Sequence, residues 1–135
     1  MMAGAYEAAL HYSLQREQFG KPIAQHQLVQ ERLSRMLALT EFTISHLVFM
    51  AEEMDKPGSE ITMGQIARSK AQASLNAREV VRLARESMGG NGILLENRVM
   101  KHLYDVEVMY TGEGTYDVNS LVSGREITGG LGAFR

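Results

Sequence analysis

The 135-residue sequence predicts an all-α fold: an antiparallel bundle of four main helices with a short fifth. Three observations lead there. Apolar residues recur at the three-to-four spacing of a helix over most of the chain. The connections between these runs are short and rich in Gly, Pro and Asn, which makes successive helices antiparallel neighbours. No stretch alternates apolar and polar residues for long enough to argue for a sheet. The length suits one domain over residues 1–135, and no repeat, low-complexity tract or linker divides it.

The first helix is expected from about Ala3 to Gln18, because Tyr6, Leu10 and Leu14 fall four apart. Phe19-Gly20-Lys21-Pro22 stops it, since Gly breaks the helix and Pro pushes its predecessor out of helical dihedrals. Arg16 and Phe19 stand together at this end. They either complement the helix dipole and close the core, or grip a phosphate and an adenine ring.

The second helix, about His26 to Glu53, carries the longest stripe: Val29, Leu33, Met36, Leu37, Thr40, Ile44, Leu47, Val48 and Ala51. Asp55-Lys56-Pro57-Gly58 forms the turn, with Ser59 or Glu60 beginning the third helix, which extends from about Ile61 to Met88. That helix is lined with small residues (Ala67, Ala71, Ala73, Ser74, Ala77, Ala84) that allow close backbone approach. Arg78, Arg82 and Arg85 share one of its faces, with Glu79 and Glu86 as partners; a phosphate is the competing use of this face. Gly89-Gly90-Asn91-Gly92 ends the helix either as a cap or as a cradle for an anion.

A shorter helix is expected over about Glu96–Glu107 with Val99, Leu103 and Val106 inward. The last runs from Thr115 to about Thr128, with Val118, Leu121, Val122 and Arg125 on one side, before Gly129, Gly130 and Gly132 loosen the tail.

Composition removes several function classes. Fourteen basic and sixteen acidic residues leave a net charge of −2, so no global field recruits nucleic acid. The absence of cysteine excludes disulfides, thiolate metal sites and thiol nucleophiles. His11, His26, His46 and His102 lack the paired spacing of a zinc helix, and no metal site is expected. No apolar run reaches the roughly 18 residues of a membrane span, and the start lacks the basic-then-apolar layout of a signal peptide. Nine methionines favour adaptable helix packing. Met1-Met2 runs straight into helical sequence, as in a truncated start.

One stretch carries candidate chemistry. In Gly112-Glu113-Gly114-Thr115 a carboxylate stands between two glycines just ahead of a helix, with Thr115 as its N-cap and Asp117 in its first turn. Flanking glycines permit unusual dihedrals and close approach of a flat ligand. Such a carboxylate can act as a general base whose pKa is adjusted by desolvation once a ligand seals the site. The plain alternative is a turn and nothing more.

Four blocks, in order, resemble the C-terminal α-helical domain of the acyl-CoA dehydrogenases: Arg16-Glu17-Gln18-Phe19-Gly20-Lys21-Pro22-Ile23 followed by Gln27; Met88-Gly89-Gly90-Asn91-Gly92-Ile93; Glu113-Gly114-Thr115; and Gly124-Arg125-Glu126-Ile127-Thr128-Gly129. The resemblance covers essentially the whole chain. Val99-Met100-Lys101-His102 and the closing Gly-Arg-Glu-Ile-Thr-Gly are most similar to the glutaryl-CoA dehydrogenase branch.

The resemblance implies a flavoenzyme that converts an acyl-CoA thioester to the trans-2-enoyl-CoA and passes electrons from FAD to an electron-transferring flavoprotein. In the glutaryl branch decarboxylation to crotonyl-CoA follows. It also implies that Glu113 is the base that takes the α-proton while the β-hydride moves to the flavin, and that Gly114 faces the acyl chain. Arg16, Phe19 and Gln27 would grip the FAD of a neighbouring subunit. Glu86, Ser87, Met88, Gly89 and Gly90 would meet the adenosine end, and Thr115, Tyr116 and Asp117 would border the flavin's own nucleotide. A homotetramer (a dimer for the fragment) in the bacterial cytoplasm or mitochondrial matrix follows, with no role for nucleic acid or membrane. This sequence departs from the family at Gly112, where most members carry Tyr; the missing ring opens room beside the thioester. Family members also possess an N-terminal helical domain and a central β-domain, so this bundle alone is expected to fold without holding FAD tightly or turning over acyl-CoA.

Overall fold

A computed structural model describes residues 1–130. Five helices form the fold: α1 (Met2–Gln15), α2 (Gln27–Met54), α3 (Met63–Ser87), α4 (Val99–Thr111) and α5 (Tyr116–Ile127). The all-α expectation holds, and α3 lies at the centre, packed against each of the other four helices. Its small residues explain the position. Gly64, Ala67, Ser69, Ala71, Ser74, Ala77 and Ala84 are buried along nearly its whole length, so neighbouring backbones come close on more than one side.

The core forms where α1, α2 and α4 meet the second half of α3. Ala5, Ala9, Met36, Val80, Val81, Ala84, Val99 and Val106 are fully buried there, with Tyr6, Leu33 and Leu103 packed against them. Val99, Leu103 and Val106 thus face inward as expected, although α4 begins three residues later and runs four further than the periodicity suggests. Two 3-10 turns, Gly89–Ile93 and Leu95–Asn97, occupy the gap between α3 and α4.

Several local expectations are corrected. α1 ends at Gln15, and Arg16 is extended (φ −75°, ψ 120°). Its buried face is Ala5, Ala9 and Ser13, one position away from the Tyr6, Leu10 and Leu14 stripe, because close packing on α3 selects small side chains; Leu14 is 56% exposed. Two short strands, β1 (Glu17–Gln18) and β2 (Lys21–Pro22), pair antiparallel around a two-residue turn in which Phe19 (φ 55°) and Gly20 (φ 74°) are both left-handed. This is the geometry of a tight hairpin, too short to leave a periodic signal. α3 starts after Thr62, whose hydroxyl accepts from Gln65 N (3.2 Å) while the Gln65 side chain accepts from Thr62 N (2.8 Å), a reciprocal capping box.

α5 buries its polar face. Asn119 and Ser123 are its buried residues, and Ser123 Oγ accepts from Arg68 of α3 (2.9 Å). Val118, Leu121, Val122 and Arg125 share a side as expected, but it is the exposed one. At the other end of this helix Glu126 accepts from Gly64 N (2.8 Å) and from the Thr62 hydroxyl, which clamps the α5 C-terminus onto the α3 N-terminus. These two hydrogen bonds, the hydroxyl's first, hold the Glu126 carboxyl below its ordinary value.

Candidate active site

Two glycine-bearing junctions hold the residues that the sequence singles out. The first follows α4. Gly112 closes the helix, donating to Val108 O (2.8 Å), and Glu113 then adopts φ 58°. A left-handed non-glycine costs on the order of 1 kcal/mol or more, so the position is held by its surroundings. Gly114 follows at φ 88°, where an added Cβ would stand 2.8 Å from Asn119 Nδ2. Thr115 caps α5 by accepting from Val118 N (3.3 Å).

Donors converge beneath this turn. Asn119 Nδ2, on a side chain 9% exposed, donates to Gly114 O (2.8 Å), Thr115 O (3.1 Å) and, more distantly, Glu113 O (3.3 Å). From α3, Lys70 Nζ donates to Gly114 O and to Tyr110 O (3.4 Å). Tyr110 and Tyr116, on either side of the turn, stack with ring centroids 6.2 Å apart and planes 2° from parallel. Arg78 sits 4.1 Å over the Tyr110 ring and bonds Glu107 (2.7 Å). The backbone of the turn is therefore fixed from below while the Glu113 side chain is exposed above it. Asp117 is exposed and Thr115 half-buried.

The second junction brings α1's end to α3's end. A cavity of about 450 Å³ is lined by Tyr12, Arg16, Gln18, Ser87, Gly89 and Gly90, among others including Met88. Gly89 is left-handed (φ 56°), and the space a Cβ would take at Gly89 and Gly90 is open, so their backbone faces the cavity without shielding. Asn91 Nδ2 donates to Tyr12 Oη (2.8 Å), tying the loop to α1. Of the residues assigned to this region, Arg16, Ser87, Met88, Gly89 and Gly90 meet at the cavity. Phe19, 93% exposed, lies outside it with its ring edge-on to His26 at 5.9 Å. Gln27 is exposed at the start of α2, and Glu86 accepts from Arg82 (2.7 Å).

On the arginine face of α3, Arg82 takes the expected carboxylate partners and Arg78 takes Glu107 of α4, while Arg85 shows no carboxylate partner among the described residues. Arg82 bonds both Glu79 and Glu86, and Arg35 reaches Glu79 from α2 (2.7 Å). The Arg82 hydrogen bond holds the Glu79 carboxyl below its ordinary value against the opposing effect of burial. A larger, mostly apolar groove of about 530 Å³ lies beside Met2, Leu47, Met50, Met54, Ile66 and Met109, with Lys70 also in its wall. Sequence reasoning missed Lys70 and Asn119 as supports of the Glu113 turn.

No helix among the described residues is long and apolar enough to cross a membrane. Residues 1–128 match the family described as acyl-CoA dehydrogenase, C-terminal domain. The chain is 31% identical to the mitochondrial isovaleryl-CoA dehydrogenase of Solanum tuberosum over 94% of its length. It is 34% identical to the probable acyl-CoA dehydrogenase YdiO of Escherichia coli over 91%. It superposes on glutaryl-CoA dehydrogenase from Mycobacterium smegmatis with a TM-score of 0.92, 33% identity and 99% coverage. In each case it spans about a third of the relative: 30%, 32% and 34% respectively. A helical chain with the Glu113 turn at one junction and Arg16 sharing a cavity with Gly89 and Gly90 at another, matched over residues 1–128, belongs to the acyl-CoA dehydrogenase family as its C-terminal domain.

Proposed function

We propose that this chain serves as the C-terminal part of an FAD-dependent enzyme that removes hydrogen from the α and β carbons of an acyl-CoA thioester, with Glu113 as the base. The observation that carries this reading is the held turn. A carboxylate-bearing residue is kept in a left-handed conformation that glycine would adopt without strain, which points to selection for the side chain. A thioester α-proton is weakly acidic, so its removal calls for a carboxylate fixed on rigid backbone and desolvated when substrate arrives. Glu113 is exposed in this chain, on a surface that bound substrate and the rest of such an enzyme would cover. Gly114, whose missing side chain makes way for the Asn119 amide, would border the acyl chain with its backbone.

The residues at the second junction fit FAD. Arg16 has no carboxylate partner among the described residues, and it shares a cavity with the unshielded backbone of Gly89 and Gly90, a cradle suited to a dinucleotide phosphate and the ring next to it. Arg16, Phe19 and Gln27 would hold the cofactor from one side, Glu86 to Gly90 its adenosine end, and Thr115, Tyr116 and Asp117 the nucleotide beside the base. Bound FAD supplies the acceptor for the β-hydride. Two structural neighbours support the assignment, an FADH2 complex of the Mycobacterium smegmatis glutaryl-CoA dehydrogenase and an FAD complex of PigA.

Glutaryl-CoA, with decarboxylation to crotonyl-CoA, is the substrate we favour, supported by the 0.92 TM-score to a glutaryl-CoA dehydrogenase. A branched short-chain acyl-CoA is the second reading, favoured by the isovaleryl-CoA dehydrogenase relative and by the space that Gly112 leaves. An electron-transferring flavoprotein would accept the electrons, in the cytoplasm of a bacterium or in a mitochondrial matrix. The exposed apolar side chains of α2 (Phe42, Ile44, Val48 and Phe49) and of α5 (Val118 and Leu121) suit assembly into a homotetramer.

The test is Glu113→Gln in the FAD-loaded enzyme that contains this chain. Stoichiometric flavin should remain, while turnover with acyl-CoA falls by about 10²–10⁴-fold, the usual contribution of a general base. Unchanged turnover would remove Glu113 from the chemistry. Comparing glutaryl-CoA with isovaleryl-CoA, and measuring released carbon dioxide, separates the two substrate readings.

A further inference from the structure

We propose that Lys70 is a positioning residue for the base, holding the Glu113 turn through its backbone; the proposal rests on the reading of Glu113 given above. Lys70 lies in the first third of α3, half-buried among Ala67, Ser69, Ala71, Ala73 and Ser74, where long cations are uncommon. Its ammonium donates to Tyr110 O and Gly114 O, carbonyls three residues before Glu113 and one after it. One nitrogen thus spans the strained residue. Among the described residues it has no carboxylate partner, so its donor capacity and its charge are spent on this turn. Asn119 opposes it from α5 and shares the Gly114 carbonyl.

The geometry explains how a left-handed Glu113 persists. Tyr110 O belongs to the last turn of α4, where helix carbonyls lack intrahelical donors. Capping it alone would leave the turn held from the α5 side only, by Asn119. Drawing Gly114 O to the same ammonium ties the turn to α3 as well and so restrains the direction in which the Glu113 side chain leaves the backbone. A simple cap on α4 would need only the first contact. Lys70 also lies in the wall of the apolar groove near Met109, so its stem joins the packing of α3 and α4 to the aim of the carboxylate.

The experiment compares Lys70→Met, Lys70→Gln and Lys70→Arg with Glu113→Gln in the FAD-loaded enzyme. For Lys70→Met, kcat per bound flavin should fall by about 10²-fold, the cost of a misplaced catalytic group, with KM changed less than about threefold. The primary isotope effect on kcat with α-deuterated substrate should rise, because proton removal becomes slower relative to other steps. Lys70→Arg, which keeps a charged donor of similar reach, should restore part of kcat. Should Lys70→Met fold poorly, Lys70→Gln gives the same readout with a shorter neutral donor. A variant that loses thermal stability while kcat per flavin and the isotope effect stay at wild-type values would overturn the proposal and leave Lys70 a helix cap. Unchanged turnover in Glu113→Gln would instead remove the base assignment on which it rests.

Discussion

The two glycine junctions look alike on paper and work in opposite ways. At Gly89–Gly92 the glycines serve the backbone: a Cβ on Gly92 would stand 2.2 Å from Arg85 O and 3.0 Å from its carbonyl carbon, so the loop folds directly onto the end of α3. At Gly112–Gly114 the strained residue is the one that bears the side chain proposed as the base, Glu113 at φ 58°. At Gly92 of the first junction substitution is limited by space that has already been taken, while Gly89 and Gly90 beside it face open space. In the second it is limited by conformation, and the carboxylate is retained despite it. A pair of glycines therefore has two meanings, and the residue between or beside them tells which applies.

The largest expected effect separates them on stability. Gly92→Ala must push apart backbone atoms of α3 and the following turn, neither of which can rotate away. A loss of about 3 kcal/mol is expected, at the upper end of overpacking costs, read from the denaturant midpoint with an unchanged m-value. Gly114→Ala meets a side chain, Asn119, which can move at the loss of its hydrogen bonds, so about 1–2 kcal/mol is expected from the left-handed dihedral and the displaced amide. If both variants lost the same stability, the distinction between occupied space and strained conformation would fail.

The comparison sharpens next on ligand binding. Arg16→Ala removes the one cation lining the cavity among the described residues and should weaken FAD by roughly 10–100-fold, as expected for a lost hydrogen bond to a charged group. Flavin fluorescence titration of the apoenzyme measures it. Glu113→Gln should leave FAD affinity within about twofold. A comparable loss in both would show that the junctions form one site, not two.

Much of this arrangement was legible in the sequence, and the failures have specific causes. The α2 stripe placed that helix to within one residue at each end, because a long period-3.6 pattern between clear turn residues has few competing readings. The Gly-Glu-Gly turn was legible because φ-permissive residues mark where a chain bends. α1 was displaced by one position because hydrophobicity ranks Tyr6 and Leu10 above Ala5 and Ala9, whereas a helix pressed against small-residue α3 selects for size. α5 was placed correctly but turned outward: periodicity finds an apolar face without saying whose core it meets. Asn119 is buried because its amide is spent on the carbonyls of the turn that precedes its own helix. Lys70 has no periodic signal of its own among the cations of α3; the hint it offers is its setting, a half-buried cation between the buried Ser69 and Ala71.

Acid titration tests how α5, the helix that leaves the Glu113 turn, is held at its far end. Glu126 has its carboxyl held below the ordinary value of 4.5 by the Thr62 hydroxyl and Gly64 N–H. A depressed folded-state pKa means the unfolded chain binds the proton first, so the contribution is complete above about 4.5 and is lost as pH falls through the lower, folded value. Glu126→Gln should flatten the acid limb of the stability profile in that window and leave the neutral plateau changed by comparison only slightly, since the group is exposed. An unaltered acid limb would place the sensitivity elsewhere, and the Gly89–Gly92 junction has no such titrating clamp to supply it.

The smallest effect is the most diagnostic. Glu113→Gly replaces a strained left-handed residue with the one type that adopts φ 58° without penalty, and the two backbone supports, Lys70 and Asn119, do not depend on the side chain. The gain from relieved strain, on the order of 1–2 kcal/mol, is offset in part by the greater freedom of glycine in the unfolded chain, roughly 0.5–1 kcal/mol. A net stabilisation of about 0.5–1 kcal/mol is therefore expected in thermal melts, accompanied by loss of turnover at least as large as in Glu113→Gln. A functional residue held against its own conformational preference should improve folding when it is removed. If Glu113→Gly instead destabilised the chain, the side chain would be serving the fold, and the contrast between the two junctions would reduce to two structural turns.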